Sequence, residues 1–239
     1  MPPRRSYDQY CSAARALDSV GDRWTLLIVR ELLAGPRRYT DLHADLPGVS
    51  TDVLASRLRD MERDGLTTRR RLPPPGAAHV YELTERGGAL LPVLQALGAW
   101  GEAALGERRP TDAVRAHWFA LPLLRALEGE TGLVEVRLDE GVFHLRAGAA
   151  PLHGVGPADV GGPAPGDGPY PGNGPGSGPG DGPVYGDGPA GGEPDAVLSL
   201  DTDTCTAISR GDLALTDAVR AGRVRVTGDG PLAKRLREA

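Results

Sequence analysis

Lysine is almost missing from this 239-residue chain, and cysteine and aromatic residues are scarce: arginine supplies 26 of the 27 basic residues, there are two cysteines, and Phe, Trp and Tyr make up 5%. Cys11 and Cys205 stand one in each half, with no CxxC or Cys/His cluster around them. That spacing excludes a disulfide framework and a zinc site, and both thiols are expected to be reduced. The histidines, His43, His79, His117, His144 and His153, are scattered with no HExxH pair, and neither a GxSxG elbow nor a paired-carboxylate motif occurs. No catalytic residue, metal site or cofactor is therefore expected. No apolar run reaches the roughly 18 residues of a membrane span, and the opening MPPRRSYDQY lacks the apolar core of an export signal, so a cytoplasmic chain without a membrane partner is expected.

What is abundant is unevenly spread. The net charge of -5 divides into +2 over residues 1–109 and -7 over residues 110–239, so only the first half is suited to approach phosphate, with the acidic half facing elsewhere. The 34 Gly and 22 Pro concentrate in residues 157–194, which hold 14 and 10 of them and repeat GDGP at 166, 180 and 186. Such a stretch buries too little apolar surface to offset chain entropy, and a disordered low-complexity insert is expected over 157–194.

Three amphipathic helices are predicted first, over YCSAARALDSVG, WTLLIVRELLAG and STDVLASRLRDMERDG, each ending at or near a glycine. LTTRRRL and HVYELT alternate like paired strands around PPPGAA, and ERGGALLPVLQALGAWGEAAL follows as one helix that contains Pro92 and is capped by Thr84. After a helix near AVRAHWFALPLLRALEG, the segments LVEVRL and VFHLRA make a hairpin about DEG. Beyond the insert the pattern reads strand, helix, helix, strand, helix. The fold class is α+β, with one domain over 8–107 and a second over 111–239.

Helix, helix, turn, helix, hairpin, helix is the order of a winged helix-turn-helix, whose third helix enters the major groove of double-stranded DNA. Leu54, Leu58 and Met61 share one face of that helix and should pack on Leu26, Val29 and Leu33. Ser50, Thr51, Asp52 and Ser56 lie near its N-terminus, with Asp52 a candidate cap. Arg57 lies on its flank, and Arg59 is the candidate for a base edge. In the triplet Arg69, Arg70 and Arg71, alternation puts 69 and 71 on one face and 70 on the other. Arg37 and Arg38, just before Thr40, form a second basic pair for phosphate, and His79 stands on the returning strand.

The ordered residues Cys11, Asp22-Arg23-Trp24-Thr25-Leu26-Leu27, Arg38-Tyr39-Thr40-Asp41-Leu42, Gly48-Val49-Ser50, Leu54, Leu58, Asp64-Gly65-Leu66, Tyr81-Glu82-Leu83-Thr84, Gly87, Leu94 and Trp100-Gly101 closely resemble the HxlR-type winged-helix regulators of bacteria. The resemblance implies a repressor or activator, with repression the expected sign. It also implies a homodimer built from the N-terminal helix and the helix at about 85–105, reading a pseudo-palindrome. The run Leu90, Leu91, Leu94, Leu97 and Trp100 is more apolar surface than one small domain easily covers, which agrees with a partner helix. The resemblance extends to Cys11, where some members sense oxidants with a thiol. The arginines at 4, 5 and 15 would favour such a thiolate, while a buried structural thiol is the other reading.

The second half is similar to sterol carrier protein-like domains at Ile208, Gly211-Asp212, Ala218, Gly222-Arg223-Val224, Val226 and Gly228-Asp229. That resemblance implies a helical layer over a sheet enclosing an apolar tunnel, completed by a strand near residues 149–155. Trp118, Phe119 and Leu123 are the candidate lining for an apolar small-molecule effector. A winged helix used only for protein interaction, joined to a lipid-carrier-like domain, is the alternative reading.

Overall fold

The computed structural model describes residues 6–73, 78–148 and 183–238. Helices α1 (Ser12–Val20) and α2 (Thr25–Leu33) come first, followed by the two-residue strand β1 (Arg37–Arg38), α3 (Tyr39–Asp45) and α4 (Thr51–Arg63). Strands β2 (Thr67–Arg71) and β3 (His79–Leu83) form the wing, and α5 (Glu85–Gly88) and α6 (Leu91–Gly101) follow. The winged order is as expected, with one correction. Seven residues after the basic pair form α3, so the helix over 51–63 is the fourth and not the third. YTDLHAD was too short to display a periodic face. The tip of the wing lies outside the described residues.

Leu54, Leu58 and Met61 are buried in one core with Val29 and Leu33, and Leu26 packs against it. Gly65 ends α4 with φ +66°, while Leu66 N–H donates to the Met61 carbonyl (2.8 Å), the backbone crossover that a left-handed residue at a helix end permits. Thr84 caps α5 as expected: its hydroxyl accepts from Gly87 N–H (3.1 Å) and donates to the Gly65 carbonyl (2.6 Å). Gly87 passes so close to β2's start that a Cβ there would fall 2.1 Å from the Leu66 carbonyl oxygen. The helix after the wing is two helices rather than one. Its break falls at Ala89–Leu90, ahead of Pro92, which lacks the N–H needed to continue the α5 ladder.

A 3-10 turn (Ala116–Phe119) leads into α7 (Ala120–Ala126), then β4 (Gly132–Leu138) and β5 (Gly141–Ala147). The rest is β6 (Tyr185–Asp187), β7 (Ala196–Ser199), α8 (Thr202–Ser209), α9 (Leu215–Arg220), β8 (Arg225–Thr227) and α10 (Pro231–Glu238). The sheet order is β6-β5-β4-β7-β8, antiparallel except for the β4–β7 pair. The predicted order of the second half is recovered with one correction: the expected disordered insert ends too late. Tyr185–Asp187 is a strand on β5, and Tyr185 is among the largest fully buried side chains. Composition alone hid one aromatic amid glycines. Residues 157–182, and the strand expected near 149–155, lie outside the described residues. No helix among the described residues is long and apolar enough to cross a membrane.

Because Leu58 is buried to 1% exposure on the inner face of α4, Leu58→Ala should lower stability by about 2–5 kcal/mol. A reduced urea midpoint with an unchanged slope would check it.

Candidate nucleic-acid interface

Helix α4 starts from a side-chain cap. Ser50 Oγ accepts from Val53 N–H (3.3 Å), and Asp52 sits in the first turn, so the cap falls to Ser50 and not to Asp52. The Tyr39 hydroxyl donates to the Thr51 carbonyl (2.7 Å), tying the start of α3 to the start of α4 and fixing their crossing. Ser50, Thr51, Asp52 and Arg59 are exposed, while Ser56 is half-buried. Among the described residues Arg59 pairs with no carboxylate. Ala55, one turn before Arg59 on the same helix, lines one groove with Tyr81 of the wing, which places this side of α4 beside β3.

Between α3, α4 and the wing lies an open groove of 430 Å³ lined by Arg38, Tyr39, Thr40, Ala55, Arg69, Ala78, His79 and Tyr81. Arg69 faces Tyr81 across the ladder, its guanidinium 5.9 Å from the ring centre. Burial raises the Tyr81 phenol above its ordinary value, against the opposing charge of Arg69. It therefore remains a neutral O–H donor at physiological pH. Arg38, Arg69, Arg71 and His79 are exposed. A groove with two guanidinium groups, a hydroxyl and a phenol on its walls, next to a helix N-terminus, suits an anionic backbone.

Other candidate arginines are committed elsewhere. Arg70 lies on the face opposite Arg69 and Arg71, as expected, and its Nε donates to both oxygens of the buried Glu82 carboxylate (3.1 and 3.0 Å). Arg57 is 3.3 Å from Asp22 and 2.5 Å from Asp60. Arg37 lies 3.3 Å from Asp187 and 4.0 Å from Asp45, and it is not part of the groove lining. All three are drawn away from a phosphate by a nearer carboxylate.

Sequence reasoning missed the joint between the two halves. The Glu31 carboxylate, wholly buried on α2, accepts from Trp118 Nε1 (2.9 Å), from Arg30 Nε (2.8 Å) and from His117 Nε2 (2.7 Å). The Arg30 guanidinium stacks 4.2 Å from the Trp118 ring centre. Burial pushes Glu31 up, but the hydrogen bond from His117 and the charge of Arg30 outweigh it and hold the carboxyl below its ordinary value. The signal was available, since Glu31 follows Ile28 by three residues and so falls on the apolar face of α2. Of the expected cavity lining, Trp118 belongs to this joint, Leu123 is in the closed core, and Phe119 is half-buried against it.

Cys11 is exposed at the start of α1, and Cys205 is buried. The amide groups of Ala14 and Ala13 lower the Cys11 thiol below its ordinary value. The helix start is thus the cause, where arginines had been expected: Arg15 leans towards Asp18 (3.5 Å), and residues 4 and 5 lie outside the described residues. Burial pushes the Cys205 thiol up to about 12.

Residues 19–109 match the family model described as HxlR-like helix-turn-helix. The chain is 37% identical over 86 residues to the HTH-type transcriptional regulator YvaP of Bacillus subtilis, covering 36% of this chain and 80% of that one. It is 36% identical over 87 residues to the HTH-type transcriptional regulator YodB of the same organism, covering 36% and 78%. The solved reduced form of YodB is similar over 42% of this chain and all of that one, at 31% identity and a TM-score of 0.37.

The thiols should separate by reactivity. Iodoacetamide should modify Cys11 in the folded protein, with a rate that rises through a midpoint below the ordinary 9.0, while Cys205 should react only after unfolding. Mass spectrometry of peptides alkylated across a pH series reads both.

Proposed function

This chain belongs to the HxlR-like helix-turn-helix family, and on that premise we propose that it regulates transcription by seating the groove of Arg38, Arg69 and His79 on DNA phosphates while Arg59 reaches a base edge. The observation that carries this reading is that Arg38, Arg69 and Arg59 pair with no carboxylate among the described residues. In a chain of net charge -5, the arginines left unneutralised by carboxylates among the described residues include those beside the exposed outer face of α4. Phosphate contacts hold the protein on the duplex, and one guanidinium on the helix face discriminates guanine.

A homodimer follows from apolar surface left uncovered. On α6, Val93, Leu97 and Trp100 are exposed (46%, 45% and 82%), and on α1 Leu17 is 49% exposed. A second copy would bury these side chains and set two α4 helices against successive half-sites. The exposed Cys11 at the foot of α1 supports thiol oxidation as an input at that interface. A helical layer on a five-stranded sheet supports the sterol-carrier-like reading of the second half. An apolar effector there would act only through different affinities for two conformations.

Binding to duplex DNA from the region upstream of its own coding sequence, measured across a salt series against a scrambled duplex, tests the reading. Arg69→Ala should weaken both duplexes and flatten the log-log salt slope by about 1, whereas Arg59→Ala should cost about 1–3 kcal/mol on the selected duplex only. Equal effects of the two substitutions on both duplexes would overturn the assignment. Leu97→Glu with Trp100→Glu should convert a dimer to a folded monomer in analytical ultracentrifugation and weaken the selected duplex. A wild-type monomer would sink the dimer.

A further inference from the structure

Helices α2 and α3, the last two before α4, both end on groups supplied by the second half. Helix α2 closes with a tight turn: Ala34 N–H donates to the Glu31 carbonyl (3.3 Å) rather than to that of Arg30. The Arg30 carbonyl is thereby left without its helical partner, one of the orphan acceptors at any helix C-terminus. The Tyr185 hydroxyl donates to it at 2.6 Å. At the end of α3, Arg115 Nη2 donates to the Ala44 carbonyl (3.1 Å) and Arg115 Nε to Asp45 Oδ1 (3.1 Å). A guanidinium there also complements the negative end of the helix dipole.

We infer that Tyr185 and Arg115 are positioning residues for DNA reading: the second half supplies the C-terminal caps of α2 and α3, and so sets the angle at which α4 is presented. This rests on the regulator reading above. Helix α2 shares one buried core with the inner face of α4, and α3 is tied to the first turn of α4 through the Tyr39 hydroxyl. A shift at either capped end therefore reaches the outer face of α4 within one layer of packing. Tyr185 stands on β6, hydrogen-bonded to β5, and Arg115 leads into the 3-10 turn that carries His117 and Trp118 to Glu31. Displacement of β6 by an input to the second half removes the α2 cap and releases Asp187 from Arg37 in the same motion.

Tyr185→Phe deletes one hydroxyl in a buried site and Arg115→Gln one cation; both are made in the full chain and checked for wild-type helix content by circular dichroism. Hydrogen exchange of peptides covering residues 25–45 is followed without DNA, and affinity is measured on a fluorescent duplex from the upstream region. Each substitution should speed exchange at the ends of α2 and α3 and weaken the duplex by about two- to tenfold, the range expected for one hydrogen bond. Faster exchange with unchanged affinity would make the caps merely structural and overturn the positioning role, as would exchange and affinity both at wild-type values. If the unsubstituted protein bound neither duplex, the regulator reading and the positioning role would fall together. The exchange data would then separately report whether the second half caps these helices.

Discussion

The structure depends on keeping one ionised carboxylate out of water. Glu31 sits on the apolar face of α2 with its side chain wholly buried, and an unpaired charge there would be prohibitively unfavourable. It is tolerated because Arg30, His117 and Trp118 converge on it, and two of those three donors come from the other half of the chain. Removing one member of a buried pair is typically destabilising by about 3–5 kcal/mol, because the survivor is left uncompensated. The winged unit therefore requires its neighbour in a way that an apolar contact of equal area would not impose. An apolar interface tolerates sliding; a carboxylate with three directed donors accepts one arrangement.

Charge is sorted across the molecule by the same logic. The negative second half was expected to face away from the first, and in part it does the reverse. Asp187 holds Arg37, and the first half's Asp45 holds Arg115 of the second. Internal carboxylates hold Arg57 and Arg70. Neutralisation is not uniform, however. Arg38, Arg69 and Arg59 keep their exposure, so a protein with net charge -5 still presents exposed arginines at and beside the groove between α3, α4 and the wing.

Much of the fold was legible because its elements obey local periodicity. The spacing of Leu54, Leu58 and Met61 gave α4 and its buried face, the alternation of the Arg69–Arg71 triplet set Arg70 on the opposite face, and Thr84 gave the cap of α5. Illegible features were those set by distant partners. Helix α3 is seven residues long, and its far end is held by Arg115 of the other half rather than by a repeating apolar pattern. Strand β6 is three residues inside a Gly/Pro-rich stretch, and it exists because β5 offers a free edge and the core accepts the Tyr185 ring. Which arginines stay free was equally beyond reach, since Arg37 is diverted by a residue 150 positions away.

These misses share one location, and that has a physical reason. A sequence pattern reports which face of an element is buried against its own neighbours; it carries no period for contacts between elements far apart in the chain. Such contacts are made by single side chains that break the local rule: an acid on an apolar helix face, a tyrosine among glycines, a histidine and a tryptophan side by side at the edge of a helix. Each was visible as an exception, and each, once placed, meets a group from the opposite half. Residues that violate their local pattern are therefore the ones through which the acidic half acquires a purchase on the helices that carry α4.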